Sequence, residues 1–215
     1  MYEKLVDKIT EEVLEILNNS EINIKPIECK NVKVGISARH VHLSKEHLEI
    51  LFGKGYELTK SKILMGEQYA ASETVTLVGK KLRSIEKVRI LGPIRDKTQV
   101  ELSKTDSIFL GANAPVRLSG DIKDSGEIVI VGPRGTIKIE EGCIISKRHI
   151  HMNPIDAEKY NMKEGTVSIK VKGERAGILE NVDVRIRNDF HLEMHIDTDE
   201  GNALGIKNGD YVEII

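Results

Sequence analysis

Two stretches of this chain carry one pattern, and a sequence that repeats itself in this way is constrained to fold as two similar units. Gly35-Ile36-Ser37-Ala38-Arg39-His40-Val41-His42-Leu43-Ser44 parallels Cys143-Ile144-Ile145-Ser146-Lys147-Arg148-His149-Ile150-His151-Met152-Asn153. Each copy reads as a strand, a basic residue, His-x-His, an apolar residue and a helix-capping residue. A second echo follows each copy: Gln99-Val100-Glu101-Leu102-Ser103-Lys104-Thr105-Asp106, with Leu110-Gly111 after it, resembles His191 to Asp199, followed by Leu204-Gly205. Two halves, each with a His-x-His and a Glu-bearing strand, predict two barrels related by a pseudo-twofold axis.

The rest of the chain agrees with that reading. From Val32 onward, short β-branched runs alternate with Gly, Pro, Asn and Asp punctuation: 32–36, 74–78, 88–91, 128–131, 136–139, 144–145, 167–171, 182–186 and 211–215. Many short strands at close spacing are the signature of barrels. Helices are predicted at 44–51, capped by Ser44, and at 153–160, where Asn153 caps and Pro154 takes the first helical position. Both follow a His-x-His. At the N-terminus Leu5, Val6, Ile9, Val13, Ile16 and Leu17 draw an apolar stripe down one helix, and a segment containing Pro26 detaches it. The expected fold is mostly β: two small related β-barrels capped by short α-helices, with an N-terminal amphipathic helix. Its divisions are the helix at 1–20, a linker at 21–31, barrel one from 32–38 plus 147–215, and barrel two from 39–146.

Composition excludes some functions. Charged residues are 31% of the 215 but nearly cancel, leaving a net charge of -2, so no basic surface for nucleic acid is written into the chain. No apolar run is long enough to span a membrane, and acidic residues interrupt the first twenty positions where a signal peptide would be apolar. The two cysteines, Cys29 and Cys143, lie far apart in sequence. That suits a reducing cytoplasm and two plain core thiols better than a disulfide framework.

Alternation gives the histidines their meaning. Residues i and i+2 of a strand share a face, so His40 with His42, and His149 with His151, each aim two imidazoles one way while Val41 and Ile150 point to apolar packing. With His195, five of the seven histidines fall in such sets, and imidazole is the commonest ligand of zinc and similar metals. His47, on a predicted helix, is expected to face solvent. His191 is a candidate outer partner on the strand of His195. Two cations close together need carboxylates; Glu101, Glu193, Asp197 and Asp199 are the strand-borne candidates, and Glu101 is chosen because it falls inside the hydrophobic and polar alternation of 98–103 with no ion-pair partner at i+2 to explain it. Arg95, on a Pro/Gly turn six residues before Glu101, offers a fork suited to phosphate.

Arg39-His40-Val41-His42-Leu43, 88–95, 147–152 and 192–200 together resemble the PduL-type phosphate acyltransferases (phosphate propanoyltransferase, a phosphotransacylase), over about Val32 to Ile215. The resemblance implies an enzyme that interconverts acyl-CoA plus phosphate with acyl phosphate plus CoA, propanoyl or acetyl, using two zinc ions between two β-barrels. It further implies that His40 and His42 hold one zinc, that His149, His151 and His195 hold the other, and that Glu101 is shared. Arg95 matches the phosphate-binding arginine, and Ser37, Arg89 and Asn202 fall where the family contacts CoA. The turn after Leu77-Val78-Gly79 is one residue longer than the family's, so the further basic CoA contact falls to Lys81 or Arg83. A homodimer or higher homo-oligomer is implied, in the cytoplasm or inside a bacterial microcompartment whose shell the N-terminal helix would meet.

As a Lewis acid, zinc can hold a leaving thiolate and polarise a thioester, and neither cysteine sits in an activating motif, which favours direct transfer over an acyl-enzyme. Two alternatives stand beside this. One is a binuclear zinc hydrolase, and the other is a non-catalytic module in which zinc only joins two barrels.

Overall fold

Strands of this sequence are too short to stand alone and bury their apolar faces by closing on themselves. A computed structural model describes residues 30–215 together with Val6, Ile9, Thr10 and Glu12. Apart from those four positions, the predicted N-terminal helix lies outside the described residues, as do Cys29 and most of the linker. In chain order the elements are β1 (Asn31–Ser37), β2 (His40–His42), α1 (Lys45–Phe52), β3 (Lys60–Ile63), β4 (Tyr69–Val78), β5 (Ser84–Gly92) and β6 (Gln99–Leu102). There follow α2 (Lys104–Leu110), β7 (Val116–Arg117), β8 (Gly126–Val131), β9 (Thr136–Ser146), β10 (His149–Met152) and α3 (Pro154–Lys159). Last come β11 (Gly165–Val171), β12 (Gly177–Ile186), β13 (Glu193–Asp197), α4 (Thr198–Leu204) and β14 (Tyr211–Ile214).

The elements form two closed barrels. In one, the strand order is β1-β13-β10-β12-β11-β14, and β14 returns to β1. In the other, β4-β5-β2-β6-β9 is closed by β8, which pairs with both β9 and β4, while β3 and β7 extend its edges. The first strand of the chain therefore belongs with the last five. The two rings share one plan. The His-x-His strand runs parallel to a long strand on one side (β2 with β5, β10 with β12) and antiparallel to the second-echo strand on the other (β2 with β6, β10 with β13).

Alternation fills each barrel. Val41, Ile90, Val100 and Cys143 point into one core, and Ile150, Val184, Met194 and Val34 into the other. β8 shows the plain one-sided pattern, buried and half-buried in turn. By contrast, β2 and β6 are buried at every position. A strand buried on both faces needs a second cover. Its inner face meets its own barrel core, and its outer face, bearing His40, His42, Gln99 and Glu101, is covered from outside.

The helices at 44–51 and 153–160 appear as α1, capped by Ser44, and α3, capped by Asn153 with Pro154 at its start. Two more helices, α2 and α4, are additional to the sequence reading. Their signals are nonetheless in the second echo: Ser103 and Asp197 accept N-cap bonds, and Gly111 and Gly205 end the helices with left-handed φ of 74° and 66°, a conformation that favours glycine. Predicted runs 136–139 and 144–145 merge into the single strand β9.

Ile90, on β5, is completely buried, whereas Ile94, four residues on, is 43% exposed. Ile90→Ala should lower unfolding stability by about 2–5 kcal/mol, and Ile94→Ala by about 0.5 kcal/mol or less. Urea denaturation of the two variants beside the parent checks this ordering.

Candidate functional site

The ladder fixes which side chains meet. His40 lies opposite Glu101 and His42 opposite Gln99 across β2 and β6; His149 lies opposite His195 and His151 opposite Glu193 across β10 and β13. The second echo therefore aligns Glu101 with His195, and Gln99 with Glu193, a register two residues away from the one in which the two glutamates match. The outer face of each barrel carries a triad, His40/His42/Glu101 in one and His149/His151/His195 in the other.

In the first triad, ligand atoms of His40, His42 and Glu101 all lie within 4.8 Å of one another, and all three residues are buried. In the second, the ring centroids are 4.5, 4.8 and 5.2 Å apart. The triads sense each other, since the charge of Glu101 acts on His149 and His195.

A clasp repeated in both halves aims the histidines. Arg39, just before His40, donates to Asp106 at 2.7 Å, and Arg148, just before His149, donates to Glu200 at 2.8 Å. Both acids sit at the third position of the helix that follows the partner strand. His40 Nδ1 and His149 Nδ1 each meet the carbonyl two residues earlier, at 2.9 and 2.8 Å, which fixes the ring and leaves Nε2 as the free nitrogen, in His40 on the side of Glu101. Gly35 backs His195: a Cβ there would come within 3.3 Å of both the imidazole and the Glu193 carboxyl.

Electrostatics keep most of these rings neutral. Burial, helped by His40 and Arg95, lowers His42 to about 3. Burial with His149, His195 and Arg185 lowers His151 to about 2, and burial with His149 lowers His195 to about 4. His149 is lowered chiefly by burial. For His40 burial also lowers the value, but the nearby charge of Glu101 outweighs it and the net shift is upward. Burial would raise Glu101, yet His40 and His42 together hold its carboxyl below the usual range.

Neutral imidazole and ionised carboxylate are the forms that a metal takes. Among the described residues, His42 Nδ1, both ring nitrogens of His151 and His195 Nε2 are buried without a hydrogen-bond partner, a costly state unless something else binds them. Glu101 stands 3.6 Å from His40 Nε2 and 3.9 Å from His42 Nε2, too far for hydrogen bonds. Two donors about 2.0–2.1 Å from one tetrahedral zinc would stand roughly 3.3 Å apart. The residues fit a metal.

The remaining sequence candidates divide. Arg95 is half-buried, donates to Ser119 at 3.0 Å and acts electrostatically on His40 and His42. Arg89 is the cross-strand partner of His40 and donates to the carbonyls of Ala71 and Ser72. Ser37 ends β1 beside Asp197, and exposed Asn202 lies on α4, next to Gly201 packed on Ile36. Lys81 is elsewhere, at the β4–β5 turn, where its ammonium donates to the Ile108 carbonyl at the end of α2. Arg83, on the same turn, lies over Phe109.

Three expectations change. His47 does not face solvent freely but meets Thr98 Oγ1 at 2.7 Å. His191 is exposed and precedes β13, so it is no outer partner of His195. Asp197 and Asp199 serve the start of α4, Asp197 as N-cap, and Asp199 also accepts from the Thr105 amide at 2.7 Å, tying the barrels.

Gln99, Ser119 and Phe190 were missed. Gln99 is buried, donates to Glu101 at 2.6 Å and to Ser119 at 3.0 Å, and accepts from the Gly120 amide, so it orients Glu101 and links it to Arg95. Phe190 stacks on His151 at 3.9 Å. Gln99, at i−2 on the same strand face as Glu101, was the one signal in reach; Ser119 and Phe190 come from loops with no periodicity to read.

The model of the phosphate propanoyltransferase family matches residues 33–207. Similar curated proteins include the phosphate propanoyltransferase of Lachnoclostridium phytofermentans, 53% identical over the full length of both chains. That of Thermotoga maritima is 54% identical over 85% of this chain and 88% of its own. That of Listeria monocytogenes is 48% identical over 91% and 92%.

Cys143 lies in the barrel core, and burial pushes its thiol up to about 12. In a Cys29→Ser background the native protein should therefore resist a thiol reagent at pH about 8 and react with one equivalent once unfolded. Fast labelling of the native variant would put a reactive thiol where the fold buries one.

Proposed function

This chain belongs to the phosphate propanoyltransferase family, and from that premise we propose that it transfers a propanoyl or acetyl group between CoA and inorganic phosphate at a centre of two zinc ions. The observation that carries the metal assignment is the buried His40/His42/Glu101 cluster, whose ligand atoms lie within 4.8 Å of one another, beside a second histidine triad with unpartnered ring nitrogens at His151 and His195. His40 and His42 would hold one ion, His149, His151 and His195 the other, with Glu101 between them and Gln99 fixing its carboxylate. When bound, zinc supplies Lewis acidity to the thioester and a partner for the departing thiolate.

The chain's own groups do the rest. Arg95 spends one N–H on Ser119 and keeps its remaining donors for phosphate oxygens, which orients phosphate against the acyl carbon. A phosphate oxygen bonds to that carbon and the carbon–sulfur bond breaks, giving acyl phosphate and CoA thiolate with no change of oxidation state. The reverse direction uses the same contacts. Ser37, Arg89 and Asn202 would hold CoA, and Lys81, which spends one of its three N–H donors on the Ile108 carbonyl, would offer the other two. Deeply buried, Cys143 cannot serve as an acyl carrier.

Among the described residues no helix is long and apolar enough to cross a membrane. The same reading puts the enzyme in the cytoplasm as a homo-oligomer, with residues 1–20 the segment that would join a second copy or a microcompartment shell.

Two outcomes test the proposal. Elemental analysis of the active protein should find close to two zinc ions per chain, and active protein free of transition metal overturns the metal assignment. Arg95→Ala should raise the phosphate KM about 10–100-fold, the loss of a charged hydrogen bond, with the acyl-CoA KM changed much less. An unchanged phosphate KM in steady-state CoA release removes Arg95 from the site.

A further inference from the structure

The half-buried arginines among the described residues are Arg95, Arg117, Arg148 and Arg185. Arg117 is paired with Asp121 and Arg148 with Glu200. Among the described residues neither Arg95 nor Arg185 has a carboxylate partner within ion-pair distance. Removing a guanidinium from water is costly; Arg95 feels the Glu101 carboxylate through space but also the like charge of Arg185, and neither guanidinium is paired directly.

Arg185 sits on β12 as the cross-strand neighbour of His151. Cross-strand neighbours share a face, so its side chain leaves barrel one on the side of the histidine triad, away from the core that holds Val184. Its guanidinium carbon lies 5.8 Å from the centre of the Phe190 ring, the same ring that packs on His151. A cation–π contact orients a guanidinium and uses none of its five N–H donors. Its charge reaches across to the other barrel, where it acts on Arg95, and within its own barrel it acts on His149 and His151.

The repeat shows that packing does not demand this arginine. Arg89 pairs with His40 as Asp183 pairs with His149, so the station two residues on is Leu91 in one barrel and Arg185 in the other. An apolar residue suffices there for the fold.

We propose that Arg185 is a second phosphate-binding residue, which grips the reacting phosphate, or the phosphoryl end of the acyl phosphate, from the barrel opposite Arg95. Two like-charged forks facing one space repel each other until an anion lies between them, and a phosphate dianion carries the charge and the oxygens to engage both. One arginine from each barrel would also make phosphate binding depend on correct apposition of the barrels. The inference rests on the acyl-transfer reading. The same donors could instead serve the phosphates of CoA, and the experiment separates the two sources.

Arg185→Ala and Arg185→Lys are compared with the parent in phosphate-dependent CoA release, and in the reverse reaction with CoA and with dephospho-CoA. Metal content and the unfolding midpoint with and without inorganic phosphate are measured on each protein. The expected result for Arg185→Ala is a phosphate KM raised about 10–100-fold, an acyl-CoA KM within about twofold of the parent, unchanged metal content and a smaller phosphate-induced rise in midpoint. Arg185→Lys should recover part of the loss, since it restores charge without the fork. An unchanged phosphate KM and midpoint rise overturn the proposal. So does a raised CoA KM that disappears with dephospho-CoA, which would assign Arg185 to that cofactor's 3′-phosphate. If Arg185→Ala does not fold, Arg185→Lys carries the decision: full parental phosphate KM and phosphate-induced rise overturn the proposal, and an intermediate KM supports it. A parent without phosphate-dependent CoA release would fail the acyl-transfer reading itself, an outcome distinct from an intact parent and indifferent Arg185 variants.

Discussion

Everything at the centre of this molecule depends on one pairing: a His-x-His strand hydrogen-bonded antiparallel to the strand of the second echo, on the outer face of a closed barrel. The pleat sends Val41, Val100, Ile150 and Met194 inward and leaves His40, His42, Glu101, His149, His151 and His195 outward. A one-residue slip in either ladder would exchange imidazole for valine or isoleucine. The apolar core thus holds the register of the polar site, and the burial of these polar groups requires a second barrel to cover them.

That cover has an electrostatic cost which the site turns to use. Burial drives His42, His151 and His195 toward the neutral state, while Glu101 stays ionised because His40 faces it. A carboxylate with charge and imidazoles with free lone pairs is a donor set ready for cations. The clasps Arg39–Asp106 and Arg148–Glu200 hold the chain just before each His-x-His, so aim and charge are fixed by separate elements.

The repeat is symmetric in framework and asymmetric in chemistry. Glu101 in one half stands where His195 stands in the other, Gln99 where Glu193 stands, and Leu91 where Arg185 stands. A twofold plan supplies two equivalent frames, and side-chain replacement within them makes a single polar centre with distinct ends. Arg95 and Arg185 come from unrelated stations of the two frames and approach the centre from opposite barrels.

Much of this was legible in the sequence because strand alternation is a local property. The strand character, the shared face of each His-x-His, the helix caps at Ser44 and Asn153, and the choice of Glu101 all follow from period two and from turn chemistry. The helices α2 and α4 were signalled by the same caps, Ser103 and Asp197 with Gly111 and Gly205, but lay hidden because neither has a long apolar stripe. What only the tertiary structure decided is non-local. It made Glu101 the counterpart of His195 rather than of Glu193 in the repeat, tied Gln99 through Ser119 to Arg95, put Lys81 at a helix end and stood Arg185 beside His151. Those relations depend on which strands of a closed ring become neighbours and in what register. No spacing along the chain encodes that, because barrel closure brings together residues whose separation in sequence carries no period.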